Sequence, residues 1–314
     1  MLSTKKWSFA PLFYITLIYI FFFLLKSPIL ANETIFNALE LCYKKVIPSL
    51  FPFLVLNELM TLSNLCQILG KKIGKPISLL FGISDVSAIS FISGSLFGFP
   101  LGTKNACSLH KNNLISKEEA ERLICFCSNT GPSFVIGFLG IILQNKPIAI
   151  TIYFCQILSA TIIGLFLRKN NTANKKQAQK ANNFNLSIIP SSITSSIIPM
   201  LNICSFVCFF SIISVSIENL LIHLTRNEFI NIFITGFLEI TNGISKCETI
   251  NIYTVKILLC SFFIGWSGVS VILQSISIMS EYKIKCRKFV VCKLFQGLLC
   301  SLLSVLICKI FNMY

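Results

Sequence analysis

The stretch Gly236-Phe237-Leu238-Glu239-Ile240-Thr241-Asn242-Gly243 places a carboxylate, a hydroxyl and an amide between two glycines in an apolar part of the chain. An ionisable residue at membrane depth is costly unless it is paired or lines a wet cavity, so it indicates a functional site. The apolar run that carries it, residues 229–238, is shorter than the roughly 20 residues of a helix that spans a bilayer. A half-helix followed by a polar break is typical of discontinuous segments in secondary transporters.

The composition of the whole chain indicates an integral membrane protein. The chain has 314 residues, of which 54% are hydrophobic and only 12% are charged. This balance excludes most water-soluble domains. Several apolar runs approach the length of a spanning helix, so we expect an all-α polytopic helical bundle within the lipid bilayer.

The net charge of +15 does not indicate a nucleic-acid partner. The basic residues lie in short clusters between apolar runs, without a known nucleic-acid-binding module. Such clusters are typical of the cytoplasmic loops of membrane proteins, which are enriched in lysine and arginine. We therefore expect no nucleic-acid partner.

The fourteen cysteines do not predict a metal site, because many lie inside apolar runs and none forms the CxxC pairs of zinc sites. No cofactor is expected. The chain also lacks the HExxH, GxSxG and paired-aspartate motifs, so an intramembrane enzyme is not predicted.

The apolar and basic segments divide the chain into four parts. Residues 1–31 form an N-terminal transmembrane anchor, an uncleaved helix whose N-terminus is cytoplasmic; cleavage after Ala31 remains an alternative. Residues 32–167 form a first membrane repeat, residues 168–187 a basic cytoplasmic linker, and residues 188–314 a second membrane repeat. The first repeat opens with an interfacial helix over residues 32–45, whose apolar face carries Ile35, Leu39, Cys42 and Val46.

Each repeat contains a span headed by proline, a re-entrant hairpin, a span broken by small polar residues, and a final span. Gly98 precedes Gly131 by 33 positions, and Gly236 precedes Gly268 by 32 positions. The positive-inside rule assigns the two repeats opposite orientations. Inverted repeats with interrupted segments at matching positions predict a secondary transporter whose site lies at the repeat interface.

The first hairpin is predicted from charges on both of its sides. Residues 77–102 are apolar, and lysines flank them on both sides. The residues that interrupt them are Asp85, Gly94, Gly98, Pro100 and Gly102. If both flanks are cytoplasmic, the segment must enter the membrane and return. A cytoplasmic turn is expected at the lysines that precede it, which are Lys71, Lys72 and Lys75.

Four stretches carry a family resemblance: residues 94–104, 128–134, 236–244 and 265–274. They resemble the signature stretches of the YlbJ-type sporulation integral membrane proteins, which belong to the nucleoside-recognition or Gate group. The resemblance implies a role in endospore formation, a location in the outer forespore membrane, and transport of dipicolinate towards the forespore. Assembly of two or more copies is expected by analogy with related transporters.

The candidate site combines both hairpins and both breaks. Glu239 would carry a coupling proton or cation, although pairing with Lys256 or Lys104 is the structural alternative. Fourteen residues would bind the substrate: Phe99, Pro100, Gly102, Lys104, Asn129, Thr130, Gly131, Ser133, Thr241, Asn242, Ser267, Gly268, Ser270 and Gln274.

Several of these residues have a second interpretation. Small residues also permit close helix packing, and Lys104 could be an ordinary positive-inside anchor. Asp85 is either a second acid or a helix N-cap. No role is predicted for His110 or His223.

The sequence therefore predicts a transporter of a small anionic or heteroaromatic solute that works by alternating access. The alternatives are a membrane scaffold for endospore formation, or nucleoside or ion transport by the same fold. If the repeats are inverted, the tips of the two hairpins should meet within reach of Asn129 and Ser267.

Overall fold

The computed structural model describes residues 10–63, 65–169, 186–222 and 227–313, and the regular structure in these ranges is entirely helical. The helices are α1 (Ala10–Lys26), α2 (Pro28–Leu41), α3 (Ile47–Leu62), α4 (Leu65–Phe81), α5 (Ala88–Phe97), α6 (Leu101–Lys111), α7 (Lys117–Cys127), α8 (Gly140–Ile142), α9 (Lys146–Phe166), α10 (Ile188–Ile222), α11 (Glu228–Leu238), α12 (Ile240–Lys246), α13 (Tyr253–Trp266), α14 (Gly268–Glu281) and α15 (Arg287–Ile310). Two π-helical turns, Cys42–Val46 and Ser133–Leu139, and two 3-10 turns, Asp85–Ser87 and Cys247–Thr249, complete the list. Most of the predicted linker lies outside the described residues, and so does His223.

The described helices confirm a polytopic all-α membrane protein. Four helical segments are long and apolar enough to cross a membrane, and two further pairs are bent by 103° and 104° at a short break. The count is therefore four to six spans among the described residues. The four segments are Lys146–Phe166, Ile188–Leu220, Tyr253–Glu281 and Arg287–Ile310.

The helices after α1 differ from the prediction. The expected interfacial helix and proline-headed span form one helical run, because the turn Cys42–Val46 joins α2 directly to α3. The face of α2 that is buried carries Ala31, Thr34 and Ala38, whereas Leu39 is 52% exposed. Small residues allow helices to approach closely in a bilayer, and large apolar side chains can face lipid. Of the predicted apolar face, Cys42 and Val46 are buried, and the interfacial position of this helix remains a prediction.

The cytoplasmic turn predicted at Lys71, Lys72 and Lys75 was also wrong, because α4 continues through all three positions to Phe81. Lysine is a good helix former, so a lysine cluster does not by itself end a helix. The chain turns instead at residues 82–84, and the helical run bends by 104° between α4 and α5.

Two helical hairpins have their turns near the predicted Gly98 and Glu239. The first consists of α5 and α6, so its bounds differ from the predicted 77–102, and Lys104 lies in its second arm instead of in a cytoplasmic flank. The re-entrant course of both hairpins through the membrane remains a prediction. In the first hairpin, α5 and α6 are joined by residues 98–100, and an ideal Cβ on Gly94 would lie 3.0 Å from the Cα of Gly102. In the second hairpin, α11 and α12 are joined at Glu239, and a Cβ on Gly243 would overlap Gly236. Helix α5 has 10 residues, a length of about 15 Å, or half of a hydrocarbon core. Neither arm of the first hairpin spans a bilayer.

Each hairpin is followed by a broken helix. Helix α7 ends at Cys127, and the chain becomes helical again at Ser133. Helices α13 and α14 are separated by Ser267 alone, which has a φ of +75°. Long helices precede and follow these segments in each half, with α3 packed against α10, and α9 against α15. The opposite orientation of the two halves remains a prediction.

Candidate functional site

Each hairpin tip lies against the break of the helix that follows it. An ideal Cβ on Gly98 would be 2.9 Å from the amide nitrogen of Gly131, and one on Gly268 would be 3.0 Å from that of Ile240. Both Gly98 and Gly268 also have positive φ, at +86° and +79°. Glycine is the residue that adopts this conformation without a steric cost. In each half a hairpin tip thus packs against a helix break, although the glycine with positive φ is at the tip in the first half and at the break in the second.

The two halves also contact each other at these breaks. The hydroxyl of Thr130 donates to the carbonyl oxygen of Ile264 over 3.1 Å, which connects the first break to α13. The indole nitrogen of Trp266 donates to the carbonyl oxygen of Phe237 over 2.9 Å, which connects α13 to the second hairpin. Hairpins and broken helices therefore form one continuous cluster.

A cavity of about 20 Å³ lies within this cluster and is called the central cavity below. This volume holds about one water molecule. Both hairpin tips line it, as do α10 and the region around α3. Its lining residues are Val46, Leu50, Gly98, Phe99, Thr130, Gly131, Phe134, Ile203, Val207, Glu239, Ile240, Thr241, Val271 and Gln274.

Glu239 is 1% exposed and forms the N-cap of α12. Its carboxylate accepts hydrogen bonds from the backbone amides of Thr241 at 3.1 Å and Asn242 at 2.7 Å. Neither lysine named as an alternative partner reaches it. Lys104 is paired with Glu58 at 2.9 Å, and Lys256 donates to the carbonyl oxygen of Glu248 at 3.1 Å. Among the described residues, Glu239 forms no ion pair.

The predicted substrate-binding residues divide into two groups. Five of them line the central cavity: Phe99, Thr130, Gly131, Thr241 and Gln274. The other nine do not line it: Pro100, Gly102, Lys104, Asn129, Ser133, Asn242, Ser267, Gly268 and Ser270.

Some residues of the second group have clear structural contacts. Asn129 accepts a hydrogen bond from Gln296 at 2.7 Å and donates to the carbonyl oxygen of Phe126 at 3.0 Å. A Cβ on Gly102 would overlap the carbonyl oxygen of Cys127, so this glycine permits close packing. The structure thus shows packing and hydrogen bonding inside the protein for these positions.

Several buried polar atoms at the second break and along α14 have no hydrogen-bond partner among the described residues. The hydroxyls of Ser267 and Ser270 and the Oε1 of Gln274 are buried and form no hydrogen bond with the described residues. Buried polar atoms normally have partners. Gln274 and Glu239 both line the central cavity, so a water or ligand in this cavity could supply the missing partner of Oε1.

Asp85 and His110 lie away from the central cavity. Asp85 accepts a hydrogen bond from the hydroxyl of Ser78 at 2.5 Å, at the bend between α4 and α5, and no side chain caps α5. His110 lies near the end of α6, where its Nδ1 is 3.4 Å from the carbonyl oxygen of Ile115.

Sequence reasoning missed a buried lysine on the last helix. Lys293 donates to the carbonyl oxygen of Ser128 at 2.9 Å and to Oε1 of Gln296 at 2.8 Å. Because Ser128 is the C-cap of α7, the ammonium lies at the negative end of the helix dipole. The sequence does indicate this residue, because Lys293 lies inside the apolar run that follows Phe289, and charged residues are rare in such runs.

A second, polar cavity of about 320 Å³ lies between α2, α10 and the second hairpin, and is called the vestibule below. Asn242 separates it from Glu239, because its side chain donates to Ser211 at 2.7 Å while its backbone amide donates to Glu239. The vestibule is lined by Thr34, Asn37, Ala38, Leu41, Ser211, Ser214, Val215, Glu218, Thr235, Asn242, Ser245 and Lys246.

Comparison with known proteins supports the sporulation resemblance. The chain is 24% identical over 332 residues to the sporulation integral membrane protein YlbJ of Bacillus subtilis (strain 168), and the match covers 92% of this chain and 81% of that protein. No protein-family model and no solved structure matches the chain, so the nucleoside-recognition or Gate group remains a prediction. The match confirms that this multi-pass membrane protein is similar, over nearly its whole length, to the YlbJ-type sporulation integral membrane proteins.

Proposed function

We propose that this protein is a secondary transporter of a small solute rather than an enzyme or a scaffold. One observation carries the proposal: both hairpin tips, the first helix break and α14 line a small cavity beside a buried carboxylate that has no ion-pair partner among the described residues. Interrupted helices that meet at membrane depth are the arrangement in which secondary transporters bind substrates and coupling ions. A scaffold has no need of this arrangement.

The small size of the central cavity implies that transport requires movement. Small-molecule sites usually have volumes of about 300–1,000 Å³, whereas the central cavity measures about 20 Å³. The hairpin tips must therefore move for a solute to enter. We propose alternating access, in which the site opens to one side of the membrane at a time.

Glu239 is the proposed ion-coupling residue. An ionised carboxylate here accepts two backbone hydrogen bonds, and a protonated one can keep an acceptor oxygen while donating into the cavity. Thr130, Thr241 and the unpartnered Oε1 of Gln274 are the proposed polar contacts to the solute or to water.

The proposed substrate is a small anionic or heteroaromatic compound, with dipicolinate as the leading candidate. The similarity to a sporulation membrane protein supports a role in sporulation, and the family resemblance implies dipicolinate transport as the activity. By the same resemblance, we propose that the protein lies in the outer forespore membrane and moves dipicolinate towards the forespore.

Uptake by purified protein in proteoliposomes tests the proposal. We expect wild-type protein to accumulate radiolabelled dipicolinate when a pH gradient is imposed, and Glu239→Gln to lose the response to that gradient. Glu248→Gln is the matched control, since Glu248 lies on an exposed 3-10 turn outside the cavity. It should transport as the wild type does.

Two results would contradict the proposal. Full pH-dependent uptake by Glu239→Gln would remove the coupling role of this carboxylate. A lack of uptake of dipicolinate, nucleosides and divalent cations by well-folded wild-type protein would instead favour a scaffold in endospore formation.

A further inference from the structure

Two ion pairs occupy matching places in the two halves of the protein. Glu58 on α3 pairs with Lys104 on α6 at 2.9 Å, and Glu218 on α10 pairs with Lys246 on α12. Each pair connects the long helix that precedes a hairpin to the second arm of that hairpin. The side-chain exposures also agree, at 38% and 17% in the first pair and 39% and 18% in the second.

Both ion pairs cross the interface that bounds the central cavity. On one side of the cavity lie residues of the α3 and α10 layer, such as Leu50 and Val207. On the other side lie the hairpin tips, represented by Phe99 and Glu239. If a hairpin moves away from this layer to admit a solute, its second arm must move relative to α3 or α10, and the ion pair must break.

We propose that these ion pairs are closing contacts that hold each hairpin against the long helix of its own half. Glu58–Lys104 is the first closing contact and Glu218–Lys246 is the second. This inference rests on the proposed transport function. The inference assigns Lys104 a positioning role instead of direct substrate binding. It assigns the same positioning role to Glu58, Glu218 and Lys246.

Half-buried ion pairs are suited to a contact that must open repeatedly. An exposed pair shifts an equilibrium by up to about fivefold, which favours the closed position without locking it. A fully buried pair would be much harder to separate, because each charge would remain unpaired in a low-dielectric surrounding.

Neutral side chains accompany both closing contacts. Beside the first contact, Asn105 on α6 donates to Asn57 on α3 at 3.2 Å. Beside the second contact, Asn242 on α12 donates to Ser211 on α10 at 2.7 Å. These hydrogen bonds connect the same helices as the ion pairs do, so loss of one ion pair should loosen a hairpin without releasing it.

Hydrogen–deuterium exchange of the full-length protein in lipid nanodiscs, without solute, tests this inference. Lys246→Met removes the charge but keeps much of the apolar stem. It should raise amide exchange in α12 roughly two- to fivefold, with α6 unchanged. Lys104→Met should raise exchange in α6 by a similar factor, with α12 unchanged.

Lys44→Met is the matched control, since Lys44 pairs with Glu40 within one exposed helical segment, at 2.5 Å. It should leave both hairpins unchanged. The double variant Glu218→Lys/Lys246→Glu restores opposite charges and should return α12 exchange towards the wild-type value.

Unchanged exchange in α12 and α6, or an equal rise throughout the protein, would overturn the inference. Because exchange is measured without solute, this outcome is independent of the dipicolinate uptake experiment. Loss of uptake by the wild type would refute the transport proposal while the hairpin contacts could still be measured.

Discussion

Replacing Gly268 with alanine should weaken the contact between the second hairpin and its broken helix. Gly268 has a φ of +79°, and its Cβ would lie 3.0 Å from the amide nitrogen of Ile240 and 3.4 Å from the Cα of Glu239. Both neighbours are backbone atoms, so they can move only if the hairpin tip moves. The substitution therefore combines an unfavourable backbone conformation with a displaced tip.

The expected cost follows from these two effects. A left-handed conformation costs a residue with a Cβ roughly 1–2 kcal/mol, and the close contact adds to it. We expect about 2 kcal/mol in total, which corresponds to an approximately 30-fold change in an equilibrium constant. By comparison with soluble domains, the unfolding midpoint should fall by roughly 4 °C or more.

Thermal unfolding of the purified protein in detergent, followed by intrinsic fluorescence, measures this change. Gly137→Ala is the control, because Gly137 is exposed and a Cβ there meets nothing within 4 Å. Its unfolding midpoint should remain at or slightly above the wild-type value, since alanine is the better helix former. Equal midpoints for Gly268→Ala and wild type would refute the reasoning about the second hairpin.

The same unfolding assay checks two further contacts. Lys293→Met should lower the unfolding midpoint, because the carbonyl oxygen of Ser128 and Oε1 of Gln296 each lose a hydrogen-bond donor. Each buried acceptor left without a donor costs about 1–3 kcal/mol of stability. Lys288→Met, at an exposed position of the same helix, should leave the midpoint unchanged. Trp266→Phe should cost about 1 kcal/mol through loss of one hydrogen bond to the second hairpin. A midpoint unchanged by Lys293→Met would show that the first helix break does not depend on this ammonium.

The hairpins and breaks could be predicted because each has a local signature. Glycines and polar residues inside short apolar runs indicated the turns near Gly98 and Glu239 and the break at Ser267, and the structure has all three. Local patterns were less informative for α2 and α4. The continuation of α4 through a lysine cluster and the buried face of α2 depend on helix propensity and on packing against α10.

The site was predicted only in part because it is built from residues far apart in the chain. Thr130, Gly131, Thr241 and Gln274 do line a cavity with Glu239. Asn129 was predicted to face a ligand, but it contacts Gln296, which lies 167 positions later. A buried amide in a sequence indicates that a partner is needed, but it does not indicate which group supplies it.

The sequence by itself determined that this chain is a helical membrane protein with interrupted segments, because hydrophobic content and the lengths of apolar runs are local properties. Only the tertiary structure decided which polar groups share the central cavity and which pair with one another. Glu239 lacks a cationic partner among the described residues because Lys104 lies beside Glu58 and Lys246 beside Glu218. Which residues form ion pairs depends on how the hairpins pack against α3 and α10, and the spacing of residues along the chain does not determine that packing.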